Sequence, residues 1–399
     1  MNARRITFLF FIPFVLVAGE PDGVEIPEQP DRQLLEIDIL GGTELETEIY
    51  TIDGTPPGFL VPDAGDDLLW SRRLTVPVDV FYGDSIYGFG KFRWDTGFHP
   101  NLHDNSEIRA DEYFVRYSIP NTKLSVQGGK FATVFGGWVA RHETDDDAFL
   151  HAPLVYNELT SVIDHRMFPG VEAIAANRFR TNRIATWVPV IWEAAYIPGF
   201  AVFGEVGGLD VAAEIKSRAI SSRPAVWDDW DFGEPNWTGR IGYRPNAAWN
   251  IGASLSYGPY LLNDAGPGFD AFDQTTAGLD ISYAHRHWQI WAEVIYSQFE
   301  LPNISDDAQV LSYFIETRYK LTPQLVAALR WNQQFYNELS LPSGGDVLWD
   351  NDIFRIDASL GYRFTENTQL KVQYSWTHHD ADFQNGENMV GVHFSTKLR

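Results

Sequence analysis

The last fifty residues of the chain alternate between apolar and polar side chains with a period of two. In residues 354–364 every even position is apolar and every odd position is polar or Gly. The alternation continues in residues 370–377 after a short turn, and it returns in residues 390–398. A period of two is that of a β-strand, because successive side chains point to opposite faces. The pattern therefore predicts a hairpin and a closing strand, each with one apolar face.

The same pattern predicts a series of hairpins along the rest of the chain. They pair residues 74–80 with 86–94, 112–118 with 124–130, 183–196 with 200–214, 239–243 with 249–257, 277–283 with 288–297, 311–319 with 325–331, and 354–364 with 370–377. These hairpins supply fourteen strands, and the closing strand and one strand near the N-terminus raise the count to about sixteen. The predicted fold class is therefore all-β: a transmembrane antiparallel up-and-down β-barrel with short periplasmic turns and long external loops.

A tyrosine precedes most of the predicted tight turns. These residues are Tyr117, Tyr196, Tyr243, Tyr283, Tyr319 and Tyr362. Aromatic rings at one end of every hairpin are typical of the interfacial girdle of an outer-membrane barrel. The alternative is ordinary cross-strand packing of aromatic residues in a soluble sheet.

The N-terminus has the pattern of an export signal. Basic residues at positions 4 and 5 precede an apolar stretch from 6 to 17, and small residues follow up to Gly19. This pattern predicts a signal peptide over residues 1–19. The acidic, proline-containing residues 20–33 are interpreted as a flexible leader, and residues 34–399 as the barrel.

Composition narrows the function classes. The chain carries 54 acidic against 30 basic side chains, a net charge of −24, which disfavours a nucleic-acid partner. It has no cysteine, so thiol chemistry and disulfides are excluded. Mean hydropathy is −0.22, and no stretch beyond the signal has the length of apolar residues needed for a spanning helix.

With these features the chain resembles the Gram-negative outer-membrane porins, in particular the general and anion-type porins of about sixteen strands. The resemblance rests on repeated hairpins such as residues 319–325 and 362–370 and covers the signal and most of residues 68–399. It implies an outer-membrane location, contact with lipid and lipopolysaccharide, insertion by the barrel assembly machinery, and passage of small hydrophilic solutes. A homotrimer and a monomer both stay open. One departure is the end of the chain at Lys397-Leu398-Arg399, where such porins usually have an aromatic residue.

The longest insertion, residues 131–182, is the candidate constriction loop. By the resemblance it would fold into the lumen, with acidic residues facing basic ones across the passage. The candidates are Asp145, Asp146 and Asp147 on one side and Arg166, Arg178, Arg180 and Arg183 on the other. The alternative is an external loop whose charges are solvated or locally paired.

Strand phase predicts which charged side chains face the lumen. The basic ones are Arg240, Arg318, Arg330, Arg355, Arg363, Lys371 and Lys397, and the acidic ones are Asp280, Glu293, Glu316 and Asp357. This slight basic excess predicts a weak preference for anions, with the acidic surplus in external loops.

Three other features are considered as sites. Residues 227–237 mix tryptophans with carboxylates as sugar-binding surfaces do, but loop packing is the simpler interpretation. The contiguous run at residues 378–382 lacks the spacing of a metal site, so no metal or other cofactor is predicted. Ser359, Ser375, Ser395 and His393 share the inner face, but no third group or motif supports a triad, so no catalytic residue and no enzymatic activity are predicted.

The sequence leaves three functional classes open. A passive or weakly selective diffusion channel is favoured by the strand count and the polar inner face. The first alternative is an outer-membrane barrel that acts as an enzyme, an adhesin or a sugar-binding platform without general pore activity. The second is a soluble periplasmic β-protein.

Overall fold

The chain folds into a closed antiparallel β-barrel of sixteen strands. The computed structural model describes residues 35–39, 42–53, 68–96, 107–144, 146–178, 187–224, 230–262, 265–380 and 386–398. Nineteen strands are found in this part of the chain. They are β1 Leu35–Ile39, β2 Thr43–Asp53, β3 Leu68–Tyr82, β4 Ile86–Thr96, β5 Glu107–Ser118, β6 Leu124–Phe131, β7 Ile197–Val206, β8 Leu209–Lys216, β9 Asn236–Asn246, β10 Trp249–Pro259, β11 Asp273–His285, β12 Trp288–Phe299, β13 Ala308–Lys320, β14 Leu325–Tyr336, β15 Glu338–Ser340, β16 Asp346–Leu348, β17 Ile353–Arg363, β18 Thr368–His379 and β19 Glu387–Leu398.

The barrel wall consists of β2 to β14 followed by β17 to β19, and each strand is antiparallel to the next. The last strand pairs with the first, with Leu398 opposite Thr43 and Asn388 opposite Asp53. Strand β1 pairs with the far end of β3, beyond the stretch of β3 that β2 covers. Strands β15 and β16 form a separate small hairpin between β14 and β17. Closure between β19 and β2 leaves the wall without a free edge.

Most of the predicted hairpins are found, but the one around Pro198-Gly199 was wrong. Residues 197–206 and 209–216 form the hairpin instead, and its turn is Gly207-Gly208. Pro198 and Gly199 lie within β7, opposite Lys130 and Gly129 of β6. The stretch at 187–196, predicted to be a strand of the wall, belongs to the long connection between β6 and β7.

The two faces of the wall differ as the strand period requires. On β17 and β18, Leu360 and Val372 are 53% and 41% exposed, whereas Asp357 and Gln373 are fully buried. Large apolar side chains are exposed in the same way on the other wall strands, for example Leu279 on β11. The outside of the barrel is therefore an apolar belt, and the inside is lined by polar and charged side chains.

The described parts of the connection between β6 and β7, residues 132–144, 146–178 and 187–196, lie inside the barrel. They contain a short 3-10 helix, Val139–Arg141, and two short helices, α1 Leu154–Asn157 and α2 Val171–Asn177. Apolar side chains of this inner segment pack against Ile295, Phe314 and Tyr336, which point inward from β12, β13 and β14. No helix in the described ranges is long and apolar enough to cross a membrane.

Candidate constriction inside the barrel

Glu293 of β12 anchors the start of the inner segment. Its Oε1 accepts the backbone N–H of Gly137 at 2.9 Å, and the N–H of Trp138 donates to the same oxygen. Its Oε2 accepts a hydrogen bond from the Tyr156 hydroxyl at 2.6 Å. On the next strand, the Arg141 guanidinium donates to Glu316 at 2.7 Å. One side of the segment is thus tied to the wall by charged groups, whose hydrogen bonds are stronger than those between neutral groups.

The middle of the inner segment is tied to strands β17 and β18, which follow β14 in the wall. The amide N–H of Leu150 donates to Gln373 Oε1 on β18 at 2.6 Å. The Lys371 ammonium donates to the carbonyl of Asp147 at 2.7 Å, and the Ser359 hydroxyl donates to the carbonyl of Ala148 at 2.7 Å. Only β14 separates β13 from β17, so these tethers and the first group hold the segment to one part of the wall, whereas the Lys91 ammonium of β4 reaches Glu143 from another part at 2.7 Å.

Two buried arginines hold the turn at His151-Ala152. Arg330 and Arg355 are fully buried and share the carboxylate of Asp357, at 2.9 Å and 3.0 Å. Arg355 also donates to the carbonyl of Ala152 at 2.5 Å. These two residues were predicted to line the lumen; the structure places them inside, where the inner segment covers them.

A polar cavity of about 110 Å³ remains between the inner segment and strands β2 to β4. Arg73 and Arg93 line it from the wall, and Glu143, Asp147 and Glu193 line it from the segment. Basic and acidic side chains therefore border the same narrow space from opposite sides. An arrangement of this kind orients dipolar solutes and controls which ions pass.

The wall arginines belong to a network on three adjacent strands. Arg93 contacts Asp111 at 2.9 Å, and Arg109 contacts Asp111 at 2.6 Å and Asp95 at 2.7 Å. Arg73 lies 3.8 Å from Asp95. Shared carboxylates hold the guanidinium groups in fixed positions, because each carboxylate can accept from more than one donor.

Sequence reasoning did not single out Arg73 and Arg93. Alternation of Leu74, Val76, Val78 and Val80 was used to predict β3, and the opposite phase of the same strand contains Arg73. Arg93 stands between the aromatic residues Phe92 and Trp94 on β4 in the same way. Strand alternation places both arginines on the inner face, but only the structure shows that this part of the face borders the cavity.

The acidic edge of the segment carries a histidine and a tyrosine. The Lys91 ammonium donates to Glu143 and to the Tyr196 hydroxyl, both at 2.7 Å, and His142 Nε2 lies 3.2 Å from Glu143. Burial works against the charged ring of His142, but the Glu143 carboxylate outweighs it and raises the pKa of His142. Enclosure within the barrel opposes ionisation of Glu143, whose side chain is half exposed, but Lys91 and His142 hold its pKa well below the usual range.

Two other groups that line the cavity, His151 and Glu193, have shifted pKa values. Burial and the neighbouring Arg355 lower the pKa of His151 to about 3, so its ring is neutral at pH 7. Enclosure within the barrel raises the pKa of Glu193, although its side chain is exposed to solvent and Arg73 and Arg93 oppose that change. The cavity therefore combines a neutral imidazole, a carboxyl that is harder to ionise, and fixed charges of both signs.

The predicted constriction residues are divided by the structure. Asp147 lines the cavity and accepts the indole N–H of Trp138, and the carbonyl of Asp146 accepts a hydrogen bond from Arg318. Arg166 is exposed, and Arg178 donates to the carbonyl of Leu348 in the β15–β16 hairpin. Asp145, Arg180 and Arg183 lie outside the described residues. The basic groups facing Asp147 across the cavity are thus Arg73 and Arg93 of the wall.

The other charged residues that were predicted to line the lumen differ in their burial and in their partners. Arg240 pairs with Asp280 at 2.9 Å on the inner face, and Lys371 is buried beneath the segment. Arg363 is exposed at the turn end of β17. The inner face therefore carries ion pairs more often than isolated cations, and that reduces the basic excess inferred from strand phase.

The predicted aromatic girdle is divided as well. Tyr117, Tyr243 and Tyr362 are exposed on the outer face. Tyr283 and Tyr319 are half-buried and pack against Trp249 and Trp288, with ring centroids 4.5 Å apart in both pairs. Tyr196 is buried inside the barrel and bonded to Lys91, so it cannot belong to an outer girdle.

The tryptophan-rich stretch at 227–237 is described only from residue 230 onward. Trp230 and Phe232 pack against Phe200 of β7, with ring centroids 6.3 Å and 5.9 Å from that residue. These contacts fit loop packing against the outer face, which was the simpler interpretation of this stretch.

Comparisons with known proteins agree with the barrel. No family model matches the chain, and no curated protein matches it. The anion-selective porin from Comamonas acidovorans is similar in structure, with a TM-score of 0.57, 10% identity, and coverage of 91% of this chain and 100% of that one. The outer membrane channel DcaP of Acinetobacter baumannii is also similar in structure, with a TM-score of 0.57, 13% identity, and coverage of 91% of this chain and 97% of that one.

A third solved structure is the trimer form of OmpT, an outer membrane protein of Vibrio cholerae. It gives a TM-score of 0.56 at 12% identity, and the match covers 91% of this chain and 99% of that one. Identities this low carry information about the fold alone. The chain thus has the fold of the Gram-negative outer-membrane porins, a closed antiparallel barrel of sixteen strands.

Proposed function

We propose that the protein is an outer-membrane channel for passive or weakly selective diffusion of small hydrophilic solutes and ions. The observation that carries this proposal is the polar cavity between Arg73 and Arg93 on the wall and Glu143 and Asp147 on the inner segment. A belt of exposed apolar side chains around the same barrel supports an environment of lipid. Residues 1–19 would direct export to that membrane.

Solutes would be selected by size and by dipole at the cavity. Fixed charges of opposite sign across a narrow passage favour polar molecules that align with the field and disfavour apolar ones. The tethers at Glu293, Lys371 and Lys91 would keep the passage narrow, because they fix the inner segment to separate parts of the wall. The external loops and the lipopolysaccharide around them would screen solutes before they arrive.

Ion selectivity should be weak. The basic side chains that line the cavity are Arg73, Arg93 and Lys371, and the acidic ones are Glu48, Glu143, Asp147 and Glu193. The raised pKa of Glu193 brings these two sets closer to balance. The weak anion preference expected from strand phase is therefore best tested directly, by the reversal potential in a salt gradient.

The decisive experiment uses the chain without residues 1–19, refolded in detergent. A shift in gel mobility on heating reports a folded barrel, and planar-bilayer recording then tests for discrete current steps. Swelling of liposomes in sugars of increasing size gives the size limit. Current steps and a size limit near that of a monosaccharide or disaccharide are expected. A folded barrel with neither current nor swelling would overturn the proposal and favour a platform for binding or catalysis.

Assembly is part of the same proposal. We expect insertion by the barrel assembly machinery and association into a homotrimer, in line with the trimer form of the V. cholerae protein. Chemical cross-linking in native membranes should give a species of three chains; a single-chain species alone would refute the trimer while leaving the channel intact.

A further inference from the structure

We propose that Glu46, Glu48 and His393 form a Zn²⁺ site on the inner face of the barrel, where the first and last wall strands meet. The proposal goes beyond the channel function. It rests on three side chains that two strands bring together and on the groups that hold them.

Strand pairing places the three side chains on one patch of the wall. His393 of β19 stands opposite Glu48 of β2, and Glu46 precedes Glu48 by two residues on the same inward face. All three side chains are buried: His393 is 1% exposed, Glu48 is 5% exposed and Glu46 is 6% exposed. Glu48 and His393 line the polar cavity, so an ion in the cavity can reach them.

The distances between the three ligand atoms suit a small divalent cation. His393 Nε2 lies 3.1 Å from Glu46 Oε1 and 3.5 Å from Glu48 Oε1, and all three atoms lie within 4.8 Å of one another. Zinc bonds of about 2.0–2.2 Å in tetrahedral geometry place ligand atoms roughly 3.4 Å apart. A small movement of one glutamate would therefore complete the site.

Each carboxylate has a second partner that orients it. The Tyr50 hydroxyl donates to Glu48 Oε2, which leaves Oε1 facing the histidine. Glu46 Oε2 faces Arg73 at 3.6 Å, and the Thr144 hydroxyl of the inner segment donates to Glu46 Oε1 at 2.7 Å. Outer partners of this kind fix ligand orientation at metal sites, and their loss weakens binding by about 10–100-fold.

The donor set selects the class of metal. Zinc accepts imidazole nitrogen and carboxylate oxygen as ligands, and a water would take the remaining position of an open site with three protein ligands. Here that position would face the cavity. The competing explanation is a proton on His393 that joins two carboxylates without a metal, and the experiment below separates the two.

Binding is measured by isothermal titration calorimetry of the folded barrel in detergent with ZnCl₂ at pH 7. One site per chain is expected, with at least tenfold weaker binding in His393→Gln and in Glu48→Gln. Ser395→Ala is the matched control, because Ser395 lies on the same strand and face two residues away and is equally buried. His379→Gln controls for zinc held by another histidine of the barrel.

A gel shift on heating shows whether each variant has folded. If a variant does not fold, Co²⁺ added to the wild-type barrel provides a second measurement, since a site of this type gives visible absorption bands that Zn²⁺ abolishes. No zinc binding by the wild type, or equal affinity in the wild type and both ligand variants, would overturn the site.

Current recordings add a functional measurement. Zn²⁺ should reduce the wild-type current reversibly on addition of EDTA and leave the current of His393→Gln unchanged. Calorimetric binding by a barrel that does not conduct would overturn the channel proposal alone, whereas conduction without zinc binding would overturn the metal site alone.

Discussion

Replacing Gly136 by Ala should release the inner segment from the wall. Gly136 has a φ of +74°, and a Cβ built there would lie 2.3 Å from the Tyr156 hydroxyl and 3.1 Å from Glu293 Oε2. Those two atoms form the hydrogen bond that anchors the segment to β12, at 2.6 Å. The new methyl group would therefore separate the partners of an existing charge-assisted hydrogen bond.

The cost can be divided into a backbone part and a contact part. A left-handed backbone costs an L-residue about 1–2 kcal/mol. Crowding adds about 1–3 kcal/mol, and loss of a hydrogen bond to a charged group adds about 1.5–3 kcal/mol. Gly207→Ala is the matched control, because Gly207 has a φ of +59° and no atom within 4 Å of the added Cβ. The two variants should thus differ by roughly 2.5–6 kcal/mol.

Trypsin cleavage of the folded barrel under native conditions provides the measurement. The segment contains Arg141, which is paired with Glu316 in the docked state, and cleavage at this residue follows the population of the undocked segment. A difference of about 3 kcal/mol corresponds to cleavage more than a hundredfold faster in Gly136→Ala than in Gly207→Ala. Equal cleavage rates in the two variants, with both barrels folded, would refute the proposed anchoring.

Three further outcomes are expected. Leu360→Lys places a charge in the apolar belt and should destabilise the inserted barrel in urea unfolding by an amount between about 1 kcal/mol, the cost near the interface, and about 4 kcal/mol, the cost at the midplane, whereas Leu360→Ala should cost much less. Arg93→Gln should move the reversal potential in a KCl gradient toward cations, and Arg244→Gln, at an exposed ion pair, should leave it unchanged. The depressed pKa of His151 means that the unfolded chain binds a proton below pH 6.5 while the folded one does not, so stability should fall between pH 6.5 and 3 by at most about 5 kcal/mol. His151→Gln should flatten that part of the pH profile, and an unchanged profile would contradict the neutral buried ring.

The wall was accessible to sequence reasoning because strand period and turn residues are local properties. The alternation around Leu360 and Val372 distinguishes the inner faces of β17 and β18 from their outer faces. The failure at 183–196 has a physical reason. Trp187, Val190 and Ile191 pack inside the barrel on several sides, so their apolar run mimics a wall strand without facing lipid.

The cavity could not be derived in the same way. Its basic side depends on Arg73 and Arg93 of the wall, and its acidic side depends on how a segment about seventy residues further along folds back toward them. The sequence placed acids and arginines of the insertion opposite each other because both lie in one stretch. The structure separates them, because Arg178 donates a hydrogen bond to the carbonyl of Leu348 in the β15–β16 hairpin. Likewise, Glu46 and His393 are 347 positions apart, and only barrel closure brings them together.

Pairing of β19 with β2 has a consequence for biogenesis. The seam between these strands joins the two ends of the wall, so its pairing closes the barrel, and contacts so distant in sequence form slowly. Until then the nascent sheet carries two open edges that invite mispairing with other chains. Zinc bound at the seam would stabilise the closed barrel, and metal uptake during refolding would report when the barrel closes.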